Sequence, residues 1–143
     1  MQANGFVCAI NGSRDGYQVP AALHQAGLLS RFVTDYYAPD RAPGWLPGPM
    51  ARRRSDLLPH ASTVNTPACF LLQHSAAKLG LPMNRVFQHT DPMLGRHALS
   101  QAKRLGAHLY CYSGYLPRWD AIPRGMKVVD FEFHPLPGLT IEL

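Results

Sequence analysis

Residues 6–35 read FVCAINGSRDGYQVPAALHQAGLLSRFVTD, and three consecutive patterns in this stretch decide the fold. An apolar run, 6–10, leads into a turn-rich segment, 11–16, which is typical of a buried strand followed by a glycine-containing loop. From Tyr17 the apolar residues have the i, i+3, i+4, i+7 spacing of a helix. Residues 28–35 then have the composition of a second strand, so the stretch predicts a βαβ unit of about thirty residues.

The ends of the predicted helix are marked by residues with strong positional preferences. Asp15 is suited to cap its N-terminus, Pro20 fits only within its first turn, and Gly27 is a natural stop. A strand that returns through a helix to its neighbour forms a parallel pair with a right-handed crossover. The stretch therefore predicts a parallel sheet.

Residues 38–59 have a different character, because their prolines and glycines leave no room for long regular elements. We expect a long surface excursion with a short helix near Met50. The excursion contains a basic cluster of three consecutive arginines, Arg52, Arg53 and Arg54. A solvated basic turn is the first interpretation of this cluster, and contact with phosphate or acidic lipid headgroups is the other.

Two more helices are expected before the next strand. Thr66 as N-cap and Pro67 at the first helical position open one of them. Asp91 and Pro92 have the same arrangement, which predicts a helix that begins there and ends at Gly106.

Residues 107–112 and 127–133 complete a set of four predicted strands. Short buried strands that alternate with helices predict an α/β, Rossmann-like, three-layer α/β/α fold with a mainly parallel sheet of about four strands. We expect one domain to span residues 1–143, since this length suits a single core.

The composition bounds location and chemistry. Hydrophobic residues make up 46% of the chain, yet no run approaches the roughly 18 apolar residues of a membrane span. The first ten residues lack the features of a secretory signal, so we expect a cytoplasmic protein. Cys8, Cys69 and Cys111 form no CxxC pair, and we interpret them as reduced core thiols. The net charge of +5 suits anionic partners without selecting among them.

Polar and aromatic side chains follow each predicted strand, where an open parallel sheet binds its ligands. They are the loop 11–16, the segment 35–37, the segment 112–115, and His134. Such groups suit a hydroxyl-rich ligand held by hydrogen bonds and ring stacking.

The loop 11–16 is the candidate for phosphate binding, because glycines let backbone N–H groups turn toward an anion at a helix N-terminus. It matches neither GxGxxG nor GxxxxGK[ST], so dinucleotide and Walker-type sites lack their fingerprints. A plain turn that joins strand to helix is an equal interpretation of this loop.

His134 ends a hydrophobic strand, where an imidazole can hydrogen-bond a sugar hydroxyl or exchange a proton near neutral pH. A structural histidine is the other interpretation. The remaining six histidines form no HExxH pair, and Ser113 lies outside a GxSxG elbow. Neither a metal site nor a hydrolase triad is therefore expected.

Several segments, taken in order, resemble bacterial family 4-type glycosyltransferases. VCAINGSRDGYQVP at 7–20 resembles the start of these enzymes, as does AGLL at 26–29 leading into FVTDYY at 32–37. LYCYSGY at 109–115 and VVDFEFHPLP at 128–137 resemble two later strand ends of the same group. The resemblance spans nearly the whole chain.

Enzymes of this GT-B type have two Rossmann-like domains that face a cleft. The resemblance implies that this chain is the N-terminal, acceptor-side domain of a retaining hexosyltransferase, whose C-terminal domain holds the nucleotide-sugar donor. It also implies that His134 is catalytic, in contact with the transferred sugar, and that the loop 12–16 borders the donor phosphates and the acceptor. No metal and no cofactor is implied. The implied substrate-binding residues lie near two strand ends: Gly12, Ser13, Arg14, Asp15, Tyr17, Tyr112 and Ser113.

The chain departs from the family in one respect. Family members carry a glutamate pair and diphosphate-binding basic residues in the C-terminal domain, whereas the only glutamates here are Glu132 and Glu142. Transfer needs both walls of the cleft to position donor and acceptor and to exclude water. We therefore expect residues 1–143 to lack the nucleotide-sugar domain and to be inactive alone.

Two alternatives come from other classes of function. One is a non-catalytic nucleotide- or phosphate-binding Rossmann-like module, and the other is a nucleic-acid binder. A nucleic-acid binder would need interleaved basic and aromatic residues over a wide surface, and the charge here is too dispersed, so no nucleic-acid partner is expected. Peripheral contact with the inner membrane face is compatible with the sequence. So is a homodimer formed through the sheet edge or through the surface beyond the fourth strand, near residues 138–143.

Overall fold

The computed structural model describes residues 5–59, 62–112, 114–116 and 119–131. It contains five strands: β1 (Phe6–Ala9), β2 (Leu29–Thr34), β3 (Thr63–Asn65), β4 (His108–Tyr112) and β5 (Val128–Phe131). The helices are α1 (Gln18–Gln25), α2 (Gly48–Ala51), α3 (Pro67–Lys78) and α4 (Met83–Leu105). Two short 3-10 turns lie at Arg14–Tyr17 and Trp119–Ala121.

All five strands are parallel and lie in the order β3-β2-β1-β4-β5. In the central register Cys8 of β1 faces Phe32 of β2 on one side and Tyr110 of β4 on the other. The Rossmann-like α/β prediction is confirmed, with five strands where about four were expected. The additional strand is β3, at the edge of the sheet.

Helices cover both faces of the sheet. Successive residues of a strand point to opposite faces, and Val7, Cys8 and Ala9 are all fully buried, so neither face of β1 is open to solvent. Helix α1 packs against β2, while α4 packs against β1, β2 and β4. The three-layer arrangement is therefore confirmed, and the core lies around the middle strand.

Helix α1 lacks the side-chain cap that was expected. Its N-cap residue is Tyr17, at φ 64°, and the predicted cap Asp15 lies further upstream at φ 52° with its carboxylate bonded elsewhere. The capping prediction is wrong because the chain makes a left-handed turn before the helix begins. Pro20 lies in the first turn, and Gly27 follows the helix at φ 68°, both as expected.

Helix α3 begins as expected, with Thr66 as N-cap residue and Pro67 at its first position. The next prediction is wrong, because α4 begins at Met83 and contains Asp91 and Pro92 in its interior. A proline there removes one helical hydrogen bond, but the helix continues on its N-terminal side, where buried Thr90 contacts α3: its hydroxyl accepts from Gln73 and its carbonyl oxygen accepts from the Cys69 thiol. The expected end at Gly106, which has φ 62°, is confirmed.

The excursion between β2 and β3 contains α2 near Met50, as expected. It is anchored by the buried Tyr37, whose hydroxyl proton is shared between the carbonyl oxygens of Leu58 and Ser55 and whose oxygen accepts from the Ser55 N–H. Tyr37 also packs edge-on against Tyr17 and Phe32. The excursion is thereby fixed against the sheet at a defined place.

The three cysteines are free and buried, as predicted. Burial raises the pKa of Cys69 to about 11 and that of Cys111 to about 12. Within the described part of the chain, no helix combines the length and the apolar character that crossing a bilayer requires.

Candidate functional site

An open cavity of about 410 Å³ lies at the carboxyl edge of the sheet. Its walls come from the loop after β1, the end of β2, the excursion and helices α3 and α4. The residues that line it are Asn11, Gly12, Ser13, Arg14, Asp35, Arg53, Gln73 and Phe87.

Asn11 fixes the loop that follows β1. Its backbone N–H donates to the Tyr115 hydroxyl at 2.9 Å, and its side-chain Nδ2 donates to Asp91 Oδ1 at 2.6 Å. Its Oδ1 accepts from Gln73 Nε2 at 2.9 Å, and the same amide nitrogen donates to Thr90 Oγ1 at 3.0 Å. This network ties β1 to α3 and α4 and sets the floor of the cavity.

Asp35 is the buried carboxylate at the end of β2, with 2% of its surface exposed. Its Oδ1 accepts from the Gly12 N–H at 3.0 Å, from Thr34 Oγ1 at 3.0 Å and from Arg53 Nη2 at 2.7 Å. Buried carboxylates need such donors to offset lost hydration. Asp35 therefore joins the first loop to the excursion.

Arg53 projects from the excursion into the site, with 19% of its side chain exposed. Burial by itself lowers the pKa of Arg53, but the hydrogen bond and charge of Asp35 outweigh it and raise that pKa overall. Arg52 and Arg54 are exposed, in agreement with the solvated interpretation of the cluster. For Arg53 that interpretation is wrong, because its guanidinium group forms an ion pair with Asp35 inside the site.

Arg14, Asp15 and Tyr112 form one unit beside the cavity. The Tyr112 hydroxyl donates to Asp15 Oδ2 at 2.9 Å, and the Arg14 guanidinium carbon lies 5.7 Å from the centre of the Tyr112 ring. Burial first, and then the bond to Asp15 and its charge, raise the pKa of Tyr112 to about 12. This unit holds the left-handed turn against the end of β4.

Asp91 is half-buried beneath the cavity, on α4. Burial raises the pKa of its carboxyl group, against the opposing effects of the Asn11 hydrogen bond and the Arg14 charge. Its position supports Asn11, and through Asn11 the shape of the loop.

A smaller cavity of about 200 Å³ adjoins the first and shares three of its lining residues, Asp35, Arg53 and Gln73. Its other walls are aromatic. The rings of Phe70 and His74 stack at 5.6 Å with an interplanar angle of 15°, and Tyr36 lies 5.1 Å from Phe70. The Arg53 guanidinium carbon lies 5.9 Å from the Phe70 ring centre.

The structure brings together most of the sequence-predicted site residues. Gly12, Ser13 and Arg14 line the larger cavity, and Asp15 and Tyr112 adjoin it. Tyr17 lies in the core instead, 2% exposed, with its hydroxyl near Arg53 but outside hydrogen-bond geometry. The predictions for Ser113 and His134 lie outside the described residues.

Sequence reasoning missed the residues that reach the site from elements distant in the chain: Arg53, Phe70, Gln73, His74 and Asp91. Tyr115 was included in the segment 112–115 that follows a predicted strand, and Arg53 lies in the basic cluster, so those two carried a signal. The helical residues Gln73 and Asp91 carried none, because their periodicity is that of an ordinary helix.

The site combines two guanidinium groups, amide groups and aromatic rings around open space. Such a surface can hold a polar ligand by hydrogen bonds and an anionic group by charge. Among the described residues, no group of three or more His, Cys, Asp or Glu side chains could hold a metal ion.

Another cavity, of about 310 Å³, lies at the opposite edge of the sheet, where β4 begins. Gly106, His108 and Arg124 are among its lining residues. It is remote from the carboxyl ends of the strands, where parallel sheets bind their ligands. We therefore place the candidate site at the larger cavity.

Comparison of the chain with protein-family models, with curated proteins and with solved structures gave no match.

Proposed function

We propose that this chain is the acceptor-binding half of a glycosyltransferase that moves a sugar from a nucleotide-sugar donor to a hydroxyl acceptor. The observation that carries the proposal is the convergence of the loop 11–14, Asp35, Arg53 and Gln73 around an open cavity at the carboxyl edge of a parallel sheet. The resemblance of the strand-end segments to family 4-type enzymes supports the same function.

The chemistry of the cavity walls suits a hydroxyl-rich acceptor. Ser13 offers a hydroxyl that can donate and accept hydrogen bonds, and Gln73 offers its amide oxygen as an acceptor, since its amide nitrogen already donates to Asn11 and Thr90. Arg14 and Arg53 add donors with fixed charge. Sugars present several hydroxyls at once, so a wall with mixed donors and acceptors can fix their orientation.

The open shape of the cavity supports a role as one wall of a cleft. Group transfer requires the donor and acceptor to be held together and shielded from water. A second lobe that carries the nucleotide-sugar would supply the facing wall. In this proposal Asp15 and Tyr112 hold the first loop in place, and His134 contacts the transferred sugar, a role that rests on the resemblance alone.

The test is co-expression of residues 1–143 with a C-terminal donor-binding half from a family 4-type enzyme. We expect transfer from nucleotide-sugar only when both halves are present. Arg14→Gln should reduce transfer about tenfold, since a charge-assisted hydrogen bond contributes on the order of 1.4 kcal/mol. Arg41→Gln, at an exposed position outside the cavity, is the control. Equal turnover with and without the second half would refute the division of roles.

One observation favours a second candidate, a non-catalytic module that binds a nucleotide or phosphate. Arg14 and Arg53 line the same cavity, which suits a diphosphate as well as a sugar. In that case the isolated chain should bind a nucleoside diphosphate tightly, and adding any donor-binding half should yield no transfer. Calorimetry with a nucleoside diphosphate, followed by the transfer assay, separates the two functions.

A further inference from the structure

We propose that the acceptor is a saccharide that carries an oxyanion, with the anionic group at Arg14 and Arg53 and the sugar ring against Phe70 and His74. This inference rests on the proposed acceptor-binding function and names the class of acceptor. Two adjoining cavities, one with two arginines and one with aromatic walls, carry the argument.

The larger cavity is lined by more positive than negative side chains. Of the residues that line the larger cavity, two are cationic, Arg14 and Arg53, and one is anionic, Asp35. The oxygen Oδ1 of Asp35 already accepts three hydrogen bonds, one of them from Arg53. The side chains that line the cavity therefore carry a net positive charge, while Asp15 and Asp91 lie beside and beneath it with their carboxylates hydrogen-bonded by Tyr112 and Asn11. An oxyanion placed against this lining would meet two guanidinium groups.

Arg14 is the cation available to such a ligand. It is exposed, and the ion pairs among the described residues are Arg53 with Asp35 and Arg54 with Asp56, so none involves Arg14. The half-buried Asp91 bonds to Asn11 rather than to either arginine. A guanidinium group binds carboxylate and phosphate alike through paired N–H donors.

The smaller cavity has an aromatic wall. Phe70 and His74 lie one helical turn apart on α3 with their rings stacked, and Tyr36 lies against Phe70. His74 is exposed, and both rings line the smaller cavity beside Arg53. A flat apolar surface next to a charged group matches a sugar ring that bears an anionic substituent, because the ring's C–H face is apolar and its substituent is not.

The test is calorimetric titration of the 143-residue chain with four probes: glucose 6-phosphate, glucuronate, glucose and inorganic phosphate. We expect the two anionic sugars to bind at least about tenfold more tightly than either glucose or phosphate, since each of those lacks one half of the recognition. The two anionic probes distinguish a phosphate-bearing from a carboxylate-bearing acceptor.

Matched variants assign the two halves of the site. Arg14→Gln should reduce the affinity for both anionic sugars about tenfold and leave the affinity for glucose unchanged. Arg41→Gln is the control. His74→Ala should reduce the affinity for both anionic sugars severalfold and leave the affinity for inorganic phosphate unchanged. His89→Ala, at an exposed position of α4, is the control. Circular dichroism checks that each variant is folded.

Glucose binding as tightly as glucose 6-phosphate would overturn the oxyanion requirement. If inorganic phosphate binds as tightly as glucose 6-phosphate, the saccharide requirement is overturned. Absence of binding by both anionic sugars would overturn the whole inference. Failure of this inference is distinguishable from failure of the proposed function. If the 143-residue chain and a donor-binding half together transfer sugar only to neutral acceptors, the proposed function stands and the acceptor class is refuted.

Discussion

Arg53 donates from Nη2 to Asp35 Oδ1 at 2.7 Å, and this contact joins the proline-rich excursion to the end of β2. The same carboxylate oxygen accepts from the backbone of Gly12. One buried carboxylate thus holds two walls of the cavity at once, so the shape of the site depends on a pair of residues far apart in the chain.

Replacement of Arg53 should therefore destabilise the fold. Arg53→Met keeps much of the side-chain volume but removes the donor, which leaves buried Asp35 short of a charged partner, and we expect a loss of about 2 kcal/mol in unfolding free energy. Urea denaturation measures it. The exposed neighbour Arg52→Met is the control, with an expected change under about 0.5 kcal/mol. Equal losses for the two variants would show that the buried pair does not stabilise the chain.

Gly95 of α4 should not tolerate a side chain. A Cβ at this position would collide with the carbonyl oxygen of Tyr115. Glycine to alanine stabilises an ordinary helix by about 1 kcal/mol, yet here the collision should reverse the sign and cost about 1–3 kcal/mol. Thermal unfolding of Gly95→Ala, beside Ser100→Ala at an exposed position of α4, tests this. If Gly95→Ala is more stable than the wild-type protein, α4 and the segment at Tyr115 lie further apart than the structure places them.

Asp91 should make stability depend on acid pH in a particular direction. Burial raises the pKa of its carboxyl group in the folded protein, so the folded state holds the proton more tightly than the unfolded state. The ionised Asp91 carboxylate therefore destabilises the folded protein in full at neutral pH. This destabilisation diminishes as pH falls through the folded pKa toward about pH 4.

The variant Asp91→Asn isolates this effect, since its side-chain oxygen can still accept from Asn11. We expect the stability of wild type relative to Asp91→Asn to increase between pH 7 and about pH 4, measured by urea denaturation at each pH. Asp56→Asn, at an exposed position, is the control. A stability difference that decreases toward acid pH would contradict the raised pKa.

Tyr112 should hold the left-handed turn through its hydroxyl. Tyr112→Phe removes the bond to Asp15, and because Asp15 and Tyr17 occupy unfavourable positive φ angles, we expect a loss of about 1 kcal/mol. Denaturation beside Tyr110→Phe, on the same strand, measures it. Amide exchange should accelerate in residues 12–17 of Tyr112→Phe alone, and unchanged exchange there would count against this role.

Local signals predicted most of the fold. The strand β1, the helix α1 and the strand β2 follow from a change of apolar period over residues 6–35, which local backbone preference enforces. The short strand β3 escaped prediction because three residues after a proline-rich segment show no alternation. Asp91 and Pro92 imitate a helix start, but α4 begins at Met83, and the contacts of buried Thr90 with α3 decide the outcome.

What the amino-acid sequence determined by itself is the alternation of strands and helices and the polar character of the strand ends, because both depend on neighbours in the chain. Only the tertiary structure decided that Arg53, Gln73 and Asp91 join the first loop at one edge of the sheet, and that Tyr17 leaves it for the core. The physical reason is that buried charges and amides must find partners, and which partner lies within reach is settled by how distant segments pack.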